Sequence, residues 1–119
     1  MILLTSERLV ATYDFLRAHH PMDKWKLPES DAVEFKLVAR KDIHGEYDRA
    51  HYDPKNGHRI TISCLNNQHL LSVIIAMAHE MTHLSQDIAG TATSSDHNED
   101  FMKRAKKVCD NFGWDIGRF

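Results

Sequence analysis

Apolar positions recur along the chain with two different periods, and each change of period marks an element. In residues 5–21, TSERLVATYDFLRAHHP, cap-type residues precede Leu9, Val10, Tyr13 and Leu16 at helical spacing, and Pro21 closes the run. A first helix is predicted there. The period then falls to two: in DAVEFKLVARK, Val33, Phe35 and Leu37 alternate with Glu34 and Lys36, the pattern of a strand with one buried face. A second strand is expected over residues 47–52 and a β-branched third over residues 59–64, with the turn-forming DPKNG between them. Joined by short turns, the three read most economically as an antiparallel meander.

The helical period returns in QHLLSVIIAMAHEMTHLSQD, an apolar stretch too long for a strand of ~5–6 residues. Asn66 and Asn67 are placed to cap it. Further on, Asp96 followed three residues later by Glu99 has the form of a capping box, and Phe101, Ala105, Val108 and Phe112 share one face. Gly113 is placed to end that helix. The order helix, three strands, helix, helix is α+β. The loop-like AGTATSSD, residues 89–96, falls between two helices rather than between domains.

Composition adds bounds. A chain of 119 residues with 42% hydrophobic content fits one domain, residues 1–119. Its 15 basic and 17 acidic residues leave a net charge of -2 and no global basic field to steer it onto nucleic acid. The dense basic run KRAKK, residues 103–107, reads as a solvated helix face, with a weak nucleic-acid contact as the sharper alternative. Cys64 and Cys109 lie in apolar runs and read as buried reduced thiols. The N-terminal MILLTSERL lacks a basic flank and a small-residue cleavage site, and no run approaches the ~20 apolar residues of a membrane span. A cytoplasmic (intracellular), non-membrane, monomeric protein is expected.

Chemistry concentrates in AMAHEMTHLSQD, residues 76–87. Residues four apart share a helix face, so His79 and His83 can present two imidazoles to one ion while Glu80 reaches its open side. Zinc takes nitrogen ligands at ~2.0–2.1 Å, and a catalytic site keeps three protein ligands and leaves the fourth position for water. Among nine histidines such spacing can arise by chance, but here it is embedded in LLSVIIAMA, a segment apolar nearly all round. Candidates for the third ligand are His97, Glu99, Asp100, Asp110 and Asp115. His97 is the best placed, because the apolar face beginning at Phe101 would dock its helix against the motif helix.

HEMTH followed by DHNEDF resembles the SprT-like (Spartan-related) metallopeptidases, in which a helix carrying H-E-x-x-H precedes a third histidine in a pattern close to H-G-x-x-F. His97 and Phe101 match its histidine and phenylalanine, and Asn98 stands where glycine is usual. HGEYD and HRITISCLN look like the family's glycine-bearing strand and the I-x-I strand leading into the motif helix, so the resemblance covers roughly residues 44–112. It implies a small zincin core with one zinc per chain on His79, His83 and His97, and Glu80 as general base of an endopeptidase. It also implies protein or peptide substrates, DNA-bound proteins among them, although the charge balance lends that no independent support.

Rival readings keep the core but make Glu99 or Asp100 the third ligand, or make the chain a non-catalytic zinc-binding module or regulator. Tyr47 and Tyr52 can offer hydroxyls to an oxyanion, with sheet packing the commoner use of such residues. If the strand at residues 59–64 is the sheet edge, a peptide can pair with it. His69 reads as a helix-start residue, and His19, His20, His44, His51 and His58 as ordinary surface histidines.

Overall fold

The computed structural model describes residues 3–49 and 57–119. Thr5 opens α1 (Ser6–Arg17) by accepting a hydrogen bond from the Arg8 amide, and the helix lays Leu9, Tyr13 and Leu16 into the core. After it the chain runs through short 3₁₀ turns whose anchors are the buried Met22 and Leu27 and the Tyr13 hydroxyl, which donates to the Pro28 carbonyl at 2.6 Å. Three strands follow: β1 (Val33–Val38), β2 (Gly45–Arg49) and β3 (His58–Ser63). The long α2 (Leu70–Ala89) and then α3 (Glu99–Phe112) complete the α+β fold. No described helix is long and apolar enough to cross a membrane.

The sheet is mixed, not the expected antiparallel meander. Its order is β1-β3-β2, with β1 parallel to β3 and β2 antiparallel to it. Burial gives the reason: Ile60, Thr61, Ile62 and Ser63 are all buried, whereas GEYDR has no buried residue. A strand buried on both faces belongs in the centre, and a polar strand protects an edge. The expectation that β3 borders the cleft as an edge therefore fails, because both of its sides are paired. The expected continuation of β2 to Tyr52, together with His51 and residues 53–56 of the turn, lies outside the described residues.

Two expected caps are also corrected. Asn66 and Asn67 do not cap α2, whose N-cap is His69 without a side-chain bond. Their amides reach back instead to the β1–β2 connection: Asn66 donates to the carbonyls of Ile43 and Lys41, and Asn67 to those of His44 and Ser63. Asp96 is 83% exposed and caps nothing; Asn98 is the N-cap of α3, its side chain accepting from the Phe101 amide at 2.9 Å. Gly113 ends α3 as expected, and Gly90 ends α2, both in left-handed backbone at φ 74 and 75 that glycine adopts without strain.

The core gathers Leu9, Tyr13 and Leu16 from α1, Ile60 and Ile62 from β3, Val73, Met77, Met81 and Leu84 from α2, and Val108 from α3. Both thiols are free, Cys109 buried as expected and Cys64 half-buried. The Asn67 amide, 1% exposed, is the polar tie between the β1–β2 connection and the turn before α2. Asn67→Ala removes the side-chain donor of the Ser63 carbonyl and one of two donors to the His44 carbonyl, which keeps the Ser63 amide, and should lower unfolding free energy by roughly 1–3 kcal/mol in urea titration.

Candidate metal centre

α2 is the helix that the rest of the fold surrounds: α1, α3, β2 and β3 all pack on it. Its 20 residues include eleven buried ones, Glu80 and Gln86 among them, so polar groups on this helix need specific partners. His79 and His83 stand one turn apart, their ring centroids 5.1 Å from each other. His97 arrives from the residue before the α3 cap. One ring nitrogen from each of His79, His83 and His97 lies within 4.8 Å of the others, and this is the one such group able to hold a metal ion among the described residues.

The donor geometry suits a small divalent cation. His79 Nε2 and His97 Nε2 are 3.2 Å apart. Two nitrogens bound tetrahedrally at ~2.0–2.1 Å sit about 3.3 Å from each other. His79 Nδ1 is 2.6 Å from the main-chain oxygen of Phe119, which can only accept, so the proton sits on Nδ1 and the Nε2 lone pair faces the cluster. Burial is the leading cause that lowers the pKa of both His79 and His83, with neighbouring imidazoles adding to it, so both rings are held neutral as ligands must be. Phe101 supports all three rings: it stacks on His83 and His97 at 4.5 Å and lies 5.1 Å from His79.

Beside them Glu80 is 5% exposed, and no described group donates a hydrogen bond to its carboxylate. Burial pushes its pKa up to about 8, with the charges of Asp96 and Glu46 adding to the effect. Gly45 makes room for it. A Cβ there would stand 3.0 Å from Glu80 Oε2 and 3.1 Å from the Thr61 carbonyl, so any side chain would press on the carboxylate.

Glu80, His79 and Gly45 are shared by two lobes of one cleft. A lobe of about 350 Å³ runs past His83, His97 and Asp87, and one of about 380 Å³ runs past Ile75, Ala76 and Phe119. Gly45, Glu46 and Tyr47 of β2 form one wall. Beyond its pairing with β3, this strand has no described strand partner.

Other proposed site residues are occupied elsewhere. Glu99 is exposed and pairs with Lys103. Asp100 is turned away into a network: burial opposes its charge, but hydrogen bonds from Thr91, Gln86 and Arg104 hold its pKa down to about 2. Neither joins the histidines, and neither do Asp110 and Asp115. The Tyr47 hydroxyl donates to Asp87 at 2.8 Å and lies 2.7 Å from His58 Nδ1, so it is committed to the sheet side of the cleft rather than to an oxyanion. Tyr52 lies outside the described residues. Within KRAKK, Lys103 and Lys106 pair on the surface while Arg104 turns inward to Asp100 and over the Trp25 ring.

Asn98 needs no glycine-like backbone. Its φ is -70, an ordinary value, and its side chain caps α3 while donating to the Thr91 carbonyl and the Thr93 hydroxyl. Sequence reasoning missed Gln86, which a polar residue at i+7 from His79 on a buried helix could have signalled. It also missed Phe119, whose contribution is a main-chain oxygen that leaves no mark on the sequence. Comparison with known proteins adds nothing to the geometry: no family model and no curated protein matches this chain.

The Glu80 shift makes a pH prediction for the metal-free protein. Its folded pKa, about 8, lies above the ordinary 4.5, so between those values the folded state holds more protons than the unfolded one. The favourable contribution of the neutral carboxyl is therefore complete below 4.5 and lost as pH rises through about 8. Glu80→Gln removes the titration but leaves the histidines. In urea titrations without metal, the variant should exceed the parent in stability by a few kcal/mol at pH 8, the excess fading toward pH 4.5. An excess that does not vary with pH would contradict this.

Proposed function

We propose that the chain is a zinc-dependent endopeptidase of the SprT-like kind. The observation that carries the reading is a buried carboxylate, Glu80, to which no described group donates a hydrogen bond, in the wall of a cleft shared with three imidazoles, His79, His83 and His97. A zinc ion on those imidazoles supplies the Lewis acidity that polarises a carbonyl and brings the pKa of a water near 7.

Glu80 is then the general base: it takes a proton from the attacking water and delivers it to the nitrogen of the leaving amine. A base for this step works best with a pKa near the operating pH; burial raises Glu80 to about 8, and a cation bound beside it would lower it again. On the other side the carboxylate borders a lobe lined by Ile75, Ala76 and Phe119 together with His44, Ser72 and Arg118. An extended substrate pairs with β2, whose Gly45, Glu46 and Tyr47 line the cleft, and Gly45 lets the Glu80 carboxylate stand against that wall.

One contact favours a second reading, a closed structural site. Asp96 Oδ2 lies 3.4 Å from His97 Nε2, and its Oδ1 lies 3.8 Å from His83 Nε2, within reach of a fourth ligand position. Its 83% exposure and its place in an exposed loop count against a fixed ligand role. A structural site would also leave the buried Glu80 without a task.

The test is hydrolysis of an unstructured protein substrate by the purified chain after loading with one equivalent of zinc. Cleavage should stop on chelation and return on addition of zinc. Glu80→Gln should keep the metal and lose roughly 10²–10⁴-fold or more in rate. A Glu80→Gln variant as active as the parent would remove Glu80 from the reaction; full activity in chelator would remove the metal.

A further inference from the structure

His97 has an unusual position for a ligand. Its side chain is 48% exposed, and it ends a run of exposed residues, 92–97; Phe101 stacks on its ring at 4.5 Å, but a ring stack alone does not fix the backbone of that loop. What fixes the backbone lies next to it in the chain. Asn98 follows directly, yet its contacts to the Thr91 carbonyl, the Thr93 hydroxyl and the Phe101 amide stay within the same loop and helix. The direct polar link from this turn to α2 is Gln86; a longer one runs from Asp100 through Arg104 to the Ser85 hydroxyl of α2 at 3.3 Å.

Gln86 is 2% exposed and stands seven residues after His79, two helical turns on, so His79, His83 and Gln86 form one stripe along α2. Its Nε2 carries two hydrogens and spends them on two acceptors of the ligand-bearing turn: Asn98 Oδ1 at 2.8 Å and Asp100 Oδ2 at 3.0 Å. Its main-chain oxygen accepts from the Thr91 amide at 2.9 Å, so the same residue fixes both ends of the 91–98 loop. Arg104 and Thr91 hold the far side of Asp100, at 2.9 and 2.7 Å, which keeps that acceptor still.

We infer that Gln86 is a positioning residue for the metal centre, setting the place of His97 relative to His79 and His83 through Asn98 and Asp100. This rests on the metal reading above. It assigns Gln86 no contact with substrate or ion. An apolar side chain of the same length retains the packing of α2 but leaves Asn98 Oδ1 and Asp100 Oδ2 without their common donor, and the turn bearing His97 is then held to α2 less closely, by the buried Phe101 and through Arg104 and Ser85. Partners that orient a ligand without touching the metal are worth 10–100-fold in affinity.

Cobalt(II) titration with visible absorption reads position separately from stability. The parent should bind one equivalent with the intense bands of a four-coordinate site. Gln86→Met should bind about 10–100-fold more weakly, with weaker bands. His97→Ala should lose affinity as well, and adding Gln86→Met to it should cost nothing more, because Gln86 acts through His97. If Gln86→Met does not fold, Gln86→Glu keeps the length and replaces the donor by an acceptor, and the same losses are expected. Parent-like affinity and bands in the Gln86 variant, or losses that multiply in the double variant, would overturn the inference. A parent that binds no cobalt would instead overturn the metal reading on which it stands.

Discussion

The Glu80 carboxylate is nearly enclosed, with no described donor beside it, one residue along the helix from a histidine whose lone pair faces two others. Charged and alone, such a group costs several kcal/mol; protonated, it can persist, and burial raises its pKa accordingly. Much of the surrounding architecture answers that one constraint. Gly45 yields the space of a side chain to it, β2 brings the glycine there by pairing with β3, and β3 sits in the middle of the sheet where its buried face can support α2. A divalent cation on the three imidazoles, as proposed, would compensate the carboxylate and let it ionise in place.

The histidines are organised from two directions. His79 and His83 stand on α2, against which α1, α3, β2 and β3 pack, and the Phe119 oxygen fixes the tautomer of His79. His97 is held less directly, by the stacking of Phe101 beneath the rings and by the polar tie from Gln86 to the start of α3. Exposure follows the same division, since a site whose third ligand lies at the surface can admit a ligand to the open side of its ion. Gly45, Glu46 and Tyr47 of β2, which has no described strand partner other than β3, line the same cleft.

The parts of this arrangement that depend on local chemistry were legible in the sequence. Helical period, the cap-type residues at the start of α1, the stop at Gly113 and the i, i+4 histidines each act over a few residues, and α1, α3 and the two motif histidines follow from them, although α1 ends at Arg17, four residues before the expected stop at Pro21. His97 was legible because Phe101 marks the docking face of the next helix. The strand order was not, since it depends on which strand is buried on both faces. The cue was present in the uniform ITIS run and the polar GEYDR, but an antiparallel meander is the shorter path and conceals it. Asn66 and Asn67 were misassigned because an amide near a helix start serves equally well to bind a carbonyl, and here it reaches carbonyls 23 and more residues back. Asn98 was judged against a glycine when its task is that of a cap.

The central claim is that His79, His83 and His97 hold one zinc and leave a position open. X-ray absorption at the zinc edge of the loaded protein tests it most directly. The account predicts a first shell of three imidazole nitrogens at ~2.0–2.1 Å and one light-atom ligand that exchanges with added anions. A protein that retains no zinc after loading, or a shell with four protein ligands and no exchangeable position, would contradict it.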